Sequence, residues 1–190
     1  ACALAVVTAA IAVQVSLDDT PPPPVELGDF DIDFDALPAA DLFVGVDSTT
    51  VVADGFDGSA AAALGTAETG QAWVDLGAWS VADGLARIAL RPGDTEPVVA
   101  LVEMPDGEQL ISAEFAEIGG GAGVVFSYLD AANYWAVAAS PRFALWQVWQ
   151  VVDGGASVVA TLGPPARIES GTRLAVHVLD DRTDFYLDRA

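Results

Sequence analysis

The sequence predicts an all-β domain, a sandwich or a barrel, from residue 54 onward. Short runs of valine, alanine, leucine and aromatic residues recur there at intervals of roughly 8–12 residues. Turn-forming pairs such as Asp83-Gly84 and Asp153-Gly154 separate these runs. No stretch keeps a 3.6-residue apolar period for three turns, so we expect no helix in this region.

The runs define eleven strands with period-two patterns. Near residue 126, alternation places Val124, Phe126 and Tyr128 on one face of a strand. The segment from Arg173 to Leu179 is apolar on nearly every position, which is typical of a strand between two layers. The predicted strands are residues 72–75, 79–81, 86–90, 98–103, 109–117, 122–128, 134–139, 143–152, 157–162, 173–179 and 184–187.

Residues 1–17 form a separate apolar segment without any charge. The pattern predicts a helical transmembrane anchor or a signal segment, truncated because it lacks an initiating methionine. A lipoprotein signal is excluded, since the residues after Cys2 are apolar. Acids and no bases follow the segment, so the positive-inside preference puts the rest of the chain on the outer side. We therefore expect an extracytoplasmic protein whose only contact with a membrane is this segment.

Residues 18–53 are predicted to be an extended acidic linker. The run Pro21–Pro24 favours a stiff polyproline spacer. Four aspartates then alternate with apolar residues, beginning at Asp29. An EF-hand loop starting there would need glycine at its sixth position and glutamate at its twelfth, but Phe34 and Ala40 occupy them. The segment is therefore interpreted as a linker and not as a calcium loop.

Charge excludes one class of partner. The chain has 28 acidic residues, seven arginines and no lysine, giving a net charge of −21. Nucleic-acid binding needs clustered basic residues, so we expect no nucleic-acid partner. The acidic excess favours solubility and attraction of cations, with calcium as the candidate cofactor. With a single cysteine, no disulfide can form within the chain.

From residue 54 a series of motifs follows in a fixed order. They are DGFD at 54–57, LGTAETGQAW at 64–73, GAWSVADGLARI at 77–88, GGGAGVVFSYLDAANYWAV at 119–137, LWQVWQVVDGGASVVATL at 145–162 and SGTRLAVHVLDDRTDFYLD at 170–188. This order of motifs resembles that of the concanavalin A-like lectin/glucanase superfamily, in its laminin G-like and bacterial surface-module branches. The resemblance implies a jelly-roll β-sandwich of two antiparallel sheets over residues 54–190, with a clipped C-terminus, because members continue beyond the final strand. It also implies glycan and calcium binding, and some members hydrolyse polysaccharides.

The residues argue against an enzyme. Nucleophilic triads need a base, and the single histidine, His177, lies in the middle of a predicted strand as a structural residue. Glycoside hydrolases of this fold need two carboxylates facing one cleft. Glu114 and Glu117 are three residues apart, which would put them on opposite faces of a strand. The other acid-rich string, residues 103–108, contains a Pro-Asp-Gly turn.

Binding is the function that is left. Aromatic faces stack on the apolar faces of sugar rings, and nearby amides orient them. Trp146 and Trp149 are three apart, so one should face the core and the other should face outward. Tyr134 and Trp135 are adjacent, so only one of them can face outward on a regular strand. Trp73 and Trp79 are assigned to the core. The candidate ligand-binding residues are Asn133, Tyr134, Trp135, Trp146, Gln147 and Trp149.

Two groups of aspartates are candidates for a calcium site, because carboxylates are the oxygen ligands that calcium prefers. One is Asp54 with Asp57, and the other is Asp180, Asp181 and Asp184. We predict a non-catalytic, carbohydrate-binding or adhesion module whose partner is a glycan or a cell-surface protein. The alternatives are a structural or protein-interaction domain of a cell-envelope assembly and, third, a polysaccharide-cleaving hydrolase.

Overall fold

The computed structural model describes ten segments of the chain, and in them it contains strands and no helix. Within these segments there is no helix that is long and apolar enough to cross a membrane. The segments are residues 2–7, 48–57, 60–77, 79–88, 98–105, 107–118, 122–140, 145–162, 171–179 and 182–188. The strands are β1 Cys2–Val7, β2 Ser48–Asp54, β3 Trp73–Leu76, β4 Trp79–Ala82, β5 Leu85–Ile88, β6 Val99–Val102, β7 Gln109–Phe115, β8 Gly123–Asp130, β9 Asn133–Ser140, β10 Leu145–Val152, β11 Gly155–Leu162, β12 Thr172–Val178 and β13 Thr183–Asp188.

All eleven predicted strands are confirmed as β3 to β13, with ends that agree to within about two residues. Two strands lie outside the prediction. β2 begins at Ser48, inside the predicted linker, and Cys2–Val7 is a strand and not part of a helix. A short apolar run suits a strand with neighbours on both sides as well as a helix, since periodicity does not separate the two. The rest of residues 1–17, and residues 18–47 of the linker, lie outside the described residues.

The strands form two larger sheets and two hydrogen-bonded pairs. One sheet has the order β13-β12-β7-β1-β2 and the other β11-β10-β9-β8, while β3 pairs with β6 and β4 with β5. The four-stranded sheet is antiparallel throughout, as predicted. The five-stranded sheet differs from the prediction because β1 runs parallel to both β2 and β7. Parallel neighbours need a long connection, and residues 8–47 separate β1 from β2.

The main core lies between the two larger sheets. Ile111 and Phe115 of β7 and Leu174 and Val176 of β12 pack there with residues of β8, β9 and β10, including the fully buried Trp146. These side chains alternate along each strand, as period two requires. The residues between these core residues point to the opposite side of each strand. Each of the two larger sheets therefore has a second surface that is turned away from the main core.

A second core is formed by the loops and short strands between β2 and β6. It includes Trp73 and Trp79, which confirms their assignment to a core. Asp54 is buried beside them. Its carboxylate accepts a hydrogen bond from the Trp73 indole Nε1 at 2.7 Å and one from the Phe56 backbone N–H at 2.9 Å. Both bonds satisfy donors that would be costly to bury alone.

Candidate ligand-binding face

The pairing of β9 with β10 sorts the predicted site residues onto two sides of the four-stranded sheet. Trp146 lies opposite Ala139 and shares the main core with it, whereas Gln147 lies opposite Ala138 and Trp149 opposite Ala136 on the other side. Directly opposed residues of antiparallel strands share a face. The prediction that Trp146 and Trp149 lie on opposite faces is confirmed, with Trp146 inward.

We call the side of β8 to β11 that is turned away from the main core the outer face. The register of the strands arranges its side chains in cross-strand rows. From the end with the tight turns inward, the first row is Ala156, Val151 and Tyr134, the second is Val158, Trp149, Ala136 and Val125, and the third is Thr161, Gln147, Ala138 and Gly123. None of these side chains is charged, so the rows present an aromatic and amide surface.

The first two rows form the aromatic part of the outer face. Tyr134 and Trp149 are buried there with Val151, and Tyr128 packs against them. The rings of Tyr128 and Tyr134 are stacked with centroids 5.9 Å apart. Only 8% of Trp149 is exposed, while Val158 is half-buried and Ala156 is exposed. The surface is therefore closed over Trp149 and becomes accessible toward β11, the edge strand.

Tyr128 lies on the face opposite to the one that alternation predicts for it. The sequence pattern grouped it with Phe126, but Phe126 lies in the main core while Tyr128 packs on the outer face. Between them, Ser127 has a φ of 48°, and the pairing with β9 shifts register at this point. A bulge with one left-handed residue reverses the alternation after it. Tyr128 thereby joins the aromatic part, which strict period-two alternation could not reveal.

The third row and its extension form the polar part of the outer face. Gln147 is 5% exposed, and its side-chain oxygen has no hydrogen-bond partner among the described residues. Ser140 is two residues beyond Ala138 on β9, so it shares the outer face with Gln147. Its hydroxyl is also buried and unpartnered within the described chain. Two buried polar groups without a hydrogen-bond partner among the described residues therefore lie next to the aromatic part.

Small residues leave few side-chain atoms on this part of the outer face. A Cβ added at Gly123 would collide with the carbonyl oxygen of Val137 and lie 2.7 Å from the Cα of Ala138. The neighbouring positions on β9 are Ala136 and Ala138. Between Gln147 of β10 and Val125 of β8, the outer face therefore carries only the methyl groups of these two alanines and the glycine.

Asn133, a predicted ligand contact, is engaged within the fold. Its side-chain amide N–H groups donate to the Asp130 carboxylate at 3.0 and 3.2 Å, and its oxygen accepts the backbone N–H of Asp153 at 3.2 Å. These bonds join the turn between β8 and β9 to the turn between β10 and β11. Of the six predicted residues, the outer face brings together Tyr134, Gln147 and Trp149, while Trp135 and Trp146 pack with the main core.

Two of the aspartates predicted to bind calcium accept hydrogen bonds from other residues of the chain, and a third is exposed. Asp54 is buried and bonded to Trp73 and Phe56, Asp57 is exposed, and Asp184 accepts a bond from Arg182 at 3.1 Å. Asp180 and Asp181 lie outside the described residues. Within the described segments, no three His, Cys, Asp or Glu side chains come together as a metal site. Calcium binding therefore stays a prediction of the sequence.

His177 and two of the glutamates, Glu108 and Glu114, lie in or next to strands of the five-stranded sheet. His177 is largely buried in β12, and its Nε2 lies 2.7 Å from Glu108 Oε1. Glu114 pairs with Arg173 at 3.2 Å on the same side of that sheet. These contacts link β7 to β12 and agree with a structural role for His177.

The tyrosines should make stability depend on alkaline pH. Burial raises the pKa of Tyr134 above its ordinary value of 10.0, and the nearby Tyr128 adds to the rise. A raised pKa in the folded state means that the neutral phenol stabilises the fold below pH 10 and that this contribution is lost as pH rises further. We expect Tyr134→Phe to unfold at nearly the same urea concentration as the wild type at pH 8 and at a higher one near pH 11. An equal decline in both proteins would contradict this expectation.

Compared with protein-family models, with curated proteins and with solved structures, the chain has no significant match in any of the three.

Proposed function

We propose that this chain is an extracytoplasmic, non-catalytic carbohydrate-binding module, built as a jelly-roll β-sandwich, and that the outer face of its four-stranded sheet receives the glycan. The observation that carries the proposal is the combination on one face of Trp149 and Tyr134 with two unpartnered polar groups, Gln147 Oε1 and Ser140 Oγ. The extracytoplasmic location is proposed from the apolar, uncharged sequence of residues 1–17 alone; the strand Cys2–Val7, which pairs with β2 and β7, does not support a membrane segment there.

A sugar ring suits both parts of this face. The axial C–H groups of a pyranose stack on an aromatic ring, which Trp149 and Tyr134 would supply once the side chains that cover them move aside, since both residues are buried in the unliganded protein. The same movement would let sugar hydroxyls donate to the buried Gln147 oxygen and exchange hydrogen bonds with the Ser140 hydroxyl. Leaving these groups without partners costs free energy in the unliganded protein, so a ligand that pairs with them recovers it. The exposed Thr161 on β11 lies in the same row as Gln147 and marks the side from which a glycan would approach.

The same face argues for binding without catalysis. A glycoside hydrolase places two carboxylates on either side of the scissile bond, roughly 5–9.5 Å apart. The cross-strand rows of the outer face contain no carboxylate among their described side chains. In our proposal the module holds a polysaccharide without cleaving it.

The alternative is a structural or protein-interaction domain without a small ligand. The observation that favours it is the low exposure of Trp149 and Tyr134, which makes the aromatic part more closed than an open sugar platform. The two functions differ in what Trp149 does. In the first it contacts the ligand, and in the second it contributes only to packing.

Retention on immobilised neutral polysaccharides tests the proposal. Cellulose, chitin, a β-1,3-glucan and mannan are suitable probes, with Trp149→Ala and Gln147→Ala as variants. Tyr186→Ala is the matched control, because Tyr186 is a half-buried aromatic residue of the other sheet. We expect Trp149→Ala to weaken binding to the retained polysaccharide by at least about tenfold, roughly 1.4 kcal/mol, and Tyr186→Ala to change it less than about twofold.

The variants must remain folded for this comparison, which circular dichroism and urea unfolding establish. If the wild type is retained on none of the polysaccharides, the structural or interaction domain is the better description. If it is retained and Trp149→Ala binds as well as the wild type, the glycan does not bind on the outer face.

A further inference from the structure

The charges of the four-stranded sheet are concentrated at one end. Among the described residues of β8 to β11 and their two tight turns, only Asp130 and Asp153 are charged, and both are exposed. Asp130 precedes the turn between β8 and β9, and Asp153 begins the turn between β10 and β11. A large uncharged sheet thus has its two carboxylates in the two turns at one end.

Hydrogen bonds fix the two turns to each other. Asn133 bonds to the Asp130 carboxylate and to the backbone of Asp153, and the Gly154 N–H donates to the Ala132 oxygen at 2.9 Å. The Asp130 carboxylate also accepts the Ala132 N–H at 2.8 Å. We call residues 129–133 and 152–155 together the hairpin platform. Its shape is set before any partner binds, which lowers the entropic cost of association.

The hairpin platform also exposes its largest apolar side chains. Leu129 is 79% exposed and Val152 is 51% exposed. Each directly precedes one of the two aspartates in the sequence. Each of the two turns thus has an exposed apolar side chain next to a carboxylate, and this mixture of apolar and charged groups is found at protein interfaces.

We infer that the hairpin platform is a docking surface for a protein whose contact region carries an apolar patch flanked by lysine or arginine. The apolar patch would cover Leu129 and Val152, and the basic groups would pair with Asp130 and Asp153. Charge decides among occupants. A second copy would bring the same aspartates and a net charge of −21, and an anionic membrane surface would repel both carboxylates. This surface is separate from the proposed glycan site, so either can hold without the other.

The chain offers closely matched controls for a test. Asp153 and Asp83 each occupy the left-handed region in a tight turn, with φ of 49° and 55°, and each is followed by glycine. Asparagine tolerates this conformation, so Asp153→Asn and Asp83→Asn remove a charge with little strain. Val74 and Leu76 are exposed apolar residues of β3, away from the platform. The test protein carries Leu129→Ser, Val152→Ser and Asp153→Asn, and the control carries Val74→Ser, Leu76→Ser and Asp83→Asn.

The probe is a labelled peptide of about a dozen residues with alternating leucine and lysine, measured by fluorescence anisotropy near physiological ionic strength, where long-range attraction to the acidic chain is screened. We expect the test protein to bind the probe at least about tenfold more weakly than the wild type, and the control to stay within about twofold. Equal losses in the two triple variants would overturn the proposal, because attraction would then depend on total charge. Binding of wild type to anionic phosphatidylserine vesicles that the test variant loses, or self-association in sedimentation that it loses, would also overturn it.

Discussion

Replacing Trp146 with alanine is expected to lower the free energy of unfolding by about 3–5 kcal/mol, as large aromatic truncations in close-packed cores do. Trp146 is fully buried between the two larger sheets, and its ring lies 5.7 Å from that of Phe115 on the facing sheet. The neighbours on both sides are strands held in ladders, so they can close the cavity only in part. Urea unfolding followed by circular dichroism measures the loss.

Trp149→Ala is the matched comparison for this loss. Both residues are tryptophans of β10, and both are buried, but Trp149 lies in the smaller cluster on the outer face. We expect its replacement to cost clearly less stability than that of Trp146 while it weakens ligand binding by at least about tenfold. If Trp149→Ala were the more destabilising of the two, the assignment of the faces would be wrong.

Gly123→Ala is expected to lower the free energy of unfolding by about 3 kcal/mol or more, although it adds a single methyl group. That group would collide with the Val137 carbonyl oxygen and approach the Ala138 Cα. Both obstacles are backbone atoms of the neighbouring strand, so no side-chain rotation relieves them. Overpacking in cores typically costs about 1–3 kcal/mol, and because β8 must here separate from β9 we expect the upper end of that range or more, together with weaker glycan binding.

Gly154→Ala provides the control for the effect of a methyl group at a glycine. Nothing lies within 4 Å of a Cβ built there, and the residue has a φ of 78°. The cost is then conformational, about 1 kcal/mol. Comparable losses at the two positions in thermal and urea unfolding would show that β8 and β9 do not approach each other as closely as described.

The strand pattern from β3 to β13 was predictable because it is local. Period-two alternation and turn pairs such as Asp83-Gly84 depend on neighbours in the sequence, and the structure confirms every strand they predicted. β1 and β2 depend on partners far along the chain. The acidic surroundings of Ser48–Asp54 suggested a linker, and the uncharged run containing Cys2–Val7 suggested a helix, since neither segment shows which strand it will pair with.

The site was predictable only in part, for the same reason. Spacing showed that Trp146 and Trp149 would face opposite ways, but the identity of the inward residue depends on which sheet packs against β10. Tyr128 lies on the face opposite to the predicted one because Ser127 adopts a left-handed conformation, which the local sequence does not predict. Asn133 has the chemistry of a ligand contact, yet its hydrogen-bonding groups are taken by the adjoining turns.

Nitrogen–proton NMR spectra of the five tryptophan indoles and the glutamine side chains would show whether a glycan binds on the outer face. Titration with an oligosaccharide of the retained polysaccharide should move the signals of the Trp149 indole and the Gln147 amide, and leave those of Trp73, Trp79 and Trp146 in place. Saturable binding that moves the core indoles or other surface signals while Trp149 and Gln147 stay unchanged would contradict a glycan site on the outer face.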